Sequence, residues 1–317
     1  MKVLATPRSF GKNNPELFDI LRDAGLDVVR NDTGGILSAA QMCEKLADCD
    51  GLIVGVDPVD AAVLAAAPRL RAIAKYGVGL DNIDLAACEA RGIKVSRTVG
   101  ANSEAVADYA LALMLGVARK VALIDRRCRE RDWSKITGID LYGKTVGIIG
   151  LGNIGSRVAS RMAGFEARLL GTDPCWPEAL AAKYGIERRE LNELLAESDI
   201  VCVHCPLDET TAGFIGKAEL ALMKPSALLV NMARGGIVDE DALYEALRGK
   251  VISGAIIDAY SQEPLTASPL FSLDNVILSP HAGAFTTDAL NAMSRMSVDQ
   301  LFQYVDGATP DNLVTAG

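Results

Sequence analysis

Gly150, Gly152 and Gly155 form a G-x-G-x-x-G motif. It follows the strand-like run Val146–Ile149 and precedes a helical pattern, Ile154–Met162, and that context is what makes the motif specific. Gly150 permits a tight turn, Gly152 lets backbone approach a pyrophosphate, and Gly155 lets helix pack on strand. Asn153 and Ile154 open the helix, whose N-terminus offers free N–H groups and a positive dipole end to an anion. Asp173 ends the next strand pattern, eighteen residues beyond Gly155. A carboxylate there can accept hydrogen bonds from ribose hydroxyls and would repel a 2′-phosphate. Pro174-Cys175-Trp176 brings no adjacent Arg. The pattern favours NAD over NADP.

Three further stretches fall at expected strand ends, where open α/β sheets bind ligands. Asn231–Gly236 contains Arg234, Asp258–Pro264 contains Glu263, and Ser279–Gly283 contains His281. Together they supply a guanidinium, a carboxylate and an imidazole. Oxidising a 2-hydroxy acid needs a base for the hydroxyl proton as hydride leaves, and the reverse needs an acid. Histidine suits both, with an unperturbed pKa of about 6.5. A carboxylate would orient the ring, and a guanidinium would hold the substrate carboxylate and polarise its 2-carbonyl. The chain has two histidines. His204, in Val203-His-Cys-Pro206, reads as structural or cofactor-lining rather than catalytic.

These residues need elements to position them. Short β-rich runs alternate with Ala/Leu-rich helical patterns from end to end, which implies parallel sheets with helices on both faces. Expected strands are 2–6, 27–30, 51–55, 71–75, 145–149, 168–172, 186–188, 200–203, 227–230, 252–257 and 276–278, with helices including 15–24, 60–66, 102–119 and 286–305. Ser38 and Gln41 form a capping-box pattern that opens another helix, running to about Leu46. A length of 317 residues suits two domains. The expected fold is α/β, two Rossmann-like/flavodoxin-like domains with a cleft between them.

A net charge of −9 argues against sequence-independent nucleic-acid binding, which needs a basic face. No apolar run is long enough to span a bilayer, and the start has no secretory h-region. Seven scattered cysteines do not read as a disulfide framework, and Cys202 and Cys205 read as reduced core thiols. A cytoplasmic protein with no membrane association is expected.

The whole chain resembles the D-isomer-specific 2-hydroxyacid dehydrogenases, especially the 3-phosphoglycerate dehydrogenase-like branch. The matching stretches are KYGVGLDNID (75–84), LYGKTVGIIGLGNIG (141–155), LMKPSALLVNMARGGIVDEDALYEAL (222–247) and ILSPHAGAFT (277–286). The resemblance implies that His281 is the acid/base, Glu263 its partner and Arg234 the carboxylate- and carbonyl-binding group. It implies that the N–H groups of Val78 and Gly79 hold the substrate carboxylate and that Asp258 binds the nicotinamide carboxamide, with Met232 and Ala233 lining that ring. Cys205, Pro206, Thr211 and Gly283 are further implied cofactor contacts. A discontinuous substrate domain, 1–99 plus 285–317, would flank a cofactor domain, 100–284. A homodimer through the long helix after Asn102 is implied as well.

The chain departs from the phosphoglycerate branch at Gly55, where an Arg for the substrate phosphate is expected. Arg8, with Ser9 beside it, and Lys75 are the candidate replacements for binding a distal anion. The branch's regulatory C-terminal domain has no counterpart here, so serine feedback through it is not expected. The leading expectation is 3-phosphoglycerate oxidation. The alternatives are glyoxylate or hydroxypyruvate reduction, a pathway-specific 2-hydroxy acid, and an NAD-sensing, corepressor-like interaction protein.

Overall fold

A computed structural model describes residues 1–314, which form two α/β units: Met1–Asn102 with the residues from Phe285 onward, and Ser103–Ala284. The first unit begins with β1 (Lys2–Ala5), α1 (Glu16–Asp23), β2 (Asp27–Arg30), α2 (Ala39–Leu46), β3 (Gly51–Val54), α3 (Ala61–Ala66), β4 (Ala72–Lys75), α4 (Leu85–Ala90) and β5 (Lys94–Arg97). The second runs α5 (Ser103–Ala118), α6 (Val121–Arg129), β6 (Thr145–Ile149), α7 (Asn153–Ala163), β7 (Arg168–Thr172), α8 (Glu178–Tyr184), β8 (Glu187–Arg188), α9 (Leu191–Glu197), β9 (Ile200–Val203), α10 (Lys217–Leu222), β10 (Leu228–Asn231), α11 (Glu240–Arg248), β11 (Gly254–Ile257) and β12 (Val276–Leu278). The chain then returns to the first unit with α12 (Thr287–Val305) and β13 (Leu313–Val314).

The first sheet has six strands in the order β13-β5-β4-β3-β1-β2, all parallel except β13, which pairs antiparallel with β5. The second has seven parallel strands in the order β12-β11-β10-β9-β6-β7-β8. In each, the order reverses beside the unit's first strand, at β1/β3 and at β6/β9. Such points open a crevice at the carboxyl ends of the strands.

Period-two alternation explains why both faces of the second sheet are covered. Val146, Ile148, Ile200, Cys202, Leu228 and Val230 pack into one buried cluster, and Ile149, Val201, Val203, Leu229 and Ile257 into another. Cys202 is therefore a core residue on one face, while Cys205 packs against the other cluster. The capping box forms: Ser38 Oγ accepts the Gln41 N–H, and Gln41 Oε1 accepts the Ser38 N–H. Asp60 and Thr286 are N-caps rather than first helical residues.

Four elements escaped the sequence reading. α4 has six residues, too few for a helical period to show, and rests on its Asp84 cap. β5 carries only one apolar residue in Lys-Val-Ser-Arg. β13 is two residues long. α6 buries none of its residues, and its apolar ones are grouped in Val121–Ile124 ahead of Arg126, Arg127 and Arg129 rather than spaced along the helix. Among the described residues no helix is long and apolar enough to cross a membrane, and no cluster of His, Cys, Asp and Glu could hold a metal ion.

Candidate active site

The glycine motif sits at the β6/β9 reversal of the second unit. Gly150 has a φ of +91°, and a β-carbon there would lie 2.7 Å from the Cys205 nitrogen. A β-carbon at Gly155 would lie 1.9 Å from the Gly150 carbonyl oxygen, so strand and helix meet backbone to backbone. At Gly152 a β-carbon would meet nothing within 4 Å. The front of the turn is thus open where its back is closed. Gly152 is the N-cap of α7 and gives it no side-chain cap, which leaves the first N–H groups of Asn153 and Ile154 for an incoming anion. Asp173 accepts the Leu151 N–H at 2.7 Å and the Cys175 N–H at 2.8 Å, so its carboxylate also fixes the turn. α7 is held to α5 by Arg157–Glu104, Arg161–Asp108 and Arg161–Glu104 ion pairs. This cradle fits a dinucleotide: tight at two glycines, open at the third, with an acid on the neighbouring strand.

Cys205 is half-buried at the same reversal, and burial pushes its thiol up to about 11. The Thr211 hydroxyl donates to the Pro206 carbonyl at 2.7 Å. His204 is half-buried as a residue, yet both ring nitrogens are shut off from solvent without a hydrogen-bond partner among the described residues. Burial holds its pKa down at about 4, so the ring is neutral at ordinary pH.

The second cluster follows β10, β11 and β12. The Asn231 side chain ties the first loop, donating to the Arg234 carbonyl at 2.9 Å and accepting the Ala233 N–H at 3.1 Å. Arg234 Nη1 donates to the Ala233 carbonyl at 2.8 Å. Met232 is buried and Ala233 half-buried beside it. A β-carbon at Gly235 would lie 1.8 Å from the Tyr260 carbonyl carbon, so the Arg234 loop rests directly on the Glu263 loop.

His281 Nδ1 meets Glu263 Oε2 at 2.9 Å and Oε1 at 3.0 Å. Burial alone would push the Glu263 carboxyl up. The His281 hydrogen bond, the Tyr260 N–H and the charges of His281 and Arg234 outweigh it and hold the carboxyl below its usual range. Glu263 is therefore an anion able to orient the ring and to stabilise its protonated form. Asp258, 3% exposed, accepts the Ala282 N–H at 2.9 Å and the Gly283 N–H at 3.0 Å, which anchors the loop that carries His281.

In the first unit, Lys75 is buried, and its ammonium donates to the Gly55 carbonyl and to Asn82 Oδ1. Asn82 in turn donates to the Gly55 and Asp57 carbonyls. Val78 and Gly79 lie half-buried in a loop that Thr98 fixes through Gly77. Arg8 is exposed after β1, with Nη1 3.2 Å from the Gly34 carbonyl, and Ser9 beside it is half-buried. Sequence reasoning missed Asn231, Asn82 and Asp57, which act on backbone groups; only their polar character within apolar surroundings marks them.

The NAD-binding domain model of the D-isomer specific 2-hydroxyacid dehydrogenases matches residues 111–283. The chain is 43% identical over 279 residues to a glyoxylate reductase of Korarchaeum cryptofilum, covering 86% of this chain and 84% of that one. The chain belongs to this family. It is also 45% identical over 245 residues to D-3-phosphoglycerate dehydrogenase of Mycobacterium bovis, covering 76% of this chain and 46% of the relative. The chain thus spans about half the length of the phosphoglycerate dehydrogenases it matches. The crystal structure of the TT0316 protein from Thermus thermophilus shares the fold with a TM-score of 0.89 at 37% identity, over 99% of this chain and all of that one. As a family member the chain is an NAD-dependent oxidoreductase acting on a CH–OH group.

Proposed function

We propose that this protein interconverts a short, unphosphorylated D-2-hydroxy acid and its 2-keto acid, of the glyoxylate or hydroxypyruvate class. The observation that carries the chemistry is the His281–Glu263 pair, 2.9 Å apart, on the same sheet end as the glycine cradle and with Arg234 on the adjoining loop. When bound, NAD supplies the hydride acceptor, and NADH the donor. His281 gives its Nε2 proton to the 2-oxygen during reduction and takes it back during oxidation. Glu263 holds Nδ1 and so leaves Nε2 for that task. Arg234 binds the carboxylate and polarises the carbonyl. The N–H groups of Asn153 and Ile154 would hold the pyrophosphate, Asp173 the ribose and Asp258 the carboxamide.

The substrate class rests on the β1/β3 reversal of the first unit. Gly55 presents no guanidinium, and Lys75 spends donors on Gly55 and Asn82. A second reading, 3-phosphoglycerate, is favoured by the exposure of Arg8 at a strand's carboxyl end. A substrate panel separates the two. NADH oxidation with glyoxylate and hydroxypyruvate is expected to exceed turnover of phosphoglycerate, and Arg8→Ala is expected to leave KM for the small acids unchanged. Efficient phosphoglycerate oxidation, with KM raised by Arg8→Ala, would reverse the assignment. Tight NAD binding without hydride transfer to any acid would favour a cofactor-sensing protein. A homodimer is part of the proposal. Trp133 stands 86% exposed in the segment after α6 and Val121 56% exposed within it, and sedimentation velocity reads the assembly directly.

A further inference from the structure

His281 sits at φ +52°, the left-handed region that residues with a β-carbon seldom adopt. Its own N–H turns back to the Ser279 carbonyl at 3.0 Å, so the conformation depends on where Ser279 is held. Ser279 is held from two sides. Its N–H reaches the Ile257 carbonyl and the Tyr260 hydroxyl, both at 3.0 Å. Its own hydroxyl lies 2.7 Å from the Tyr109 hydroxyl on α5. Tyr260 is buried, and its hydroxyl donates to the Ile257 carbonyl at 2.9 Å, closing a ring of three groups. Burial pushes that hydroxyl up to about 12, so it keeps its proton at working pH. The backbone N–H of Tyr260 also bonds Glu263 Oε1 at 3.0 Å. One residue thus contacts the carboxylate through its backbone and the imidazole's support through its side chain.

We propose that Tyr109 and Tyr260 are positioning residues that, through Ser279, set the His281 ring against Glu263. Neither hydroxyl is bonded to the imidazole itself. The inference rests on His281 as the proton donor and acceptor of the proposed reaction. What the two hydroxyls add is fixed distance: a ring displaced by a fraction of an ångström still binds Glu263 but meets the 2-oxygen poorly.

The test uses the full chain with Tyr109→Phe, Tyr260→Phe, Ser279→Ala and the double variants, assayed with NADH and the best acid of the panel. Each single change is expected to lower kcat about threefold to tenfold and to leave the NADH dissociation constant within about twofold. Tyr109→Phe and Ser279→Ala are expected to be non-additive, since each removes the same bond. Proton NMR adds a readout of geometry, because two histidines give two Cε1–H signals. The His281 signal is expected to move or broaden in the tyrosine variants while the His204 signal stays. Unchanged kcat in the Tyr109→Phe/Tyr260→Phe double variant, with the His281 signal as in the parent, would overturn the proposal. A lowered Tm with unchanged kcat at 25 °C would overturn it equally, since that is a structural role only. His281→Gln keeps the two questions apart. If that variant is fully active, the acid/base reading fails; if it is inactive while the double tyrosine variant is fully active, only the positioning role fails.

Discussion

Both sheets reverse their strand order beside the unit's first strand, yet the two reversals are furnished in opposite ways. At β6/β9 the chain places glycines, an uncapped helix N-terminus and an acid whose bonds run to backbone. At β1/β3 it places a buried carboxylate, Asp57, which accepts the Thr6 hydroxyl at 2.5 Å and the Leu37 N–H at 2.8 Å, with the Lys75 ammonium tied down nearby. One reversal keeps hydrogen-bonding capacity for a visitor, and the other spends it on itself. Topology therefore supplies a crevice twice, and the residues after the strands decide whether it binds a phosphate or seals.

The largest effect is expected from His281→Gln. Because the chemistry is assigned to the second unit, kcat should fall by about 10²–10⁴ with NADH affinity unchanged; a variant within twofold of the parent in stopped-flow turnover would remove the catalytic half of the contrast. Gly155→Ala comes next. Its methyl would lie 1.9 Å from the Gly150 carbonyl oxygen, and backbone must move. NADH binding, followed by fluorescence titration, should weaken at least about tenfold, a loss of about 1.4 kcal/mol, and an unaltered titration would show that the cradle does not need its close fit.

The third prediction concerns the neutral His204. Its folded pKa, about 4, lies below the unfolded value of about 6.5. Protonation therefore favours the unfolded chain: this contribution to stability is complete above pH 6.5 and is lost as pH falls toward 4, up to about 3 kcal/mol in all. His204→Leu should flatten the fall of Tm across that window, and a parallel fall in both proteins would exclude His204 as its source. Smallest is Lys75→Met in the sealed reversal. Stranding Asn82 Oδ1, while the Gly55 carbonyl keeps the Asn82 N–H, should cost about 1–3 kcal/mol in thermal unfolding and leave NADH affinity alone. An unchanged Tm would mean that the β1/β3 end is not sealed by this lysine.

The legibility of the sequence follows the same divide. Strands such as Thr145–Ile149, Arg168–Thr172 and Ile200–Val203 occupy the stretches their apolar runs indicate, because a sheet covered on both faces demands continuous Val, Ile and Leu. The glycine motif reads equally well, since Gly150 and Gly155 answer steric requirements that no other residue meets and Gly152 leaves the front of the turn open. His281 and Glu263 lie eighteen residues apart in sequence yet meet at 2.9 Å, a meeting suggested by their places after successive strands and by the family resemblance. Asn231, Asp57 and Asn82 gave no such notice. Their partners are backbone groups brought near by folding, and a carbonyl has no letter in the sequence. Lys75 shows the converse: its type suggested an anion ligand, whereas its position at the end of a fully buried strand commits the ammonium to neighbouring oxygens.

Gly235 carries one more consequence. With no room for even a methyl between it and the Tyr260 backbone, the loop bearing Arg234 and the loop bearing Glu263 cannot slide past one another. Main chain thus packs on main chain between the two residues. In the proposed reaction, an anion that drew the guanidinium toward itself would bear on the loop of the carboxylate that meets the imidazole, gearing recognition to proton transfer.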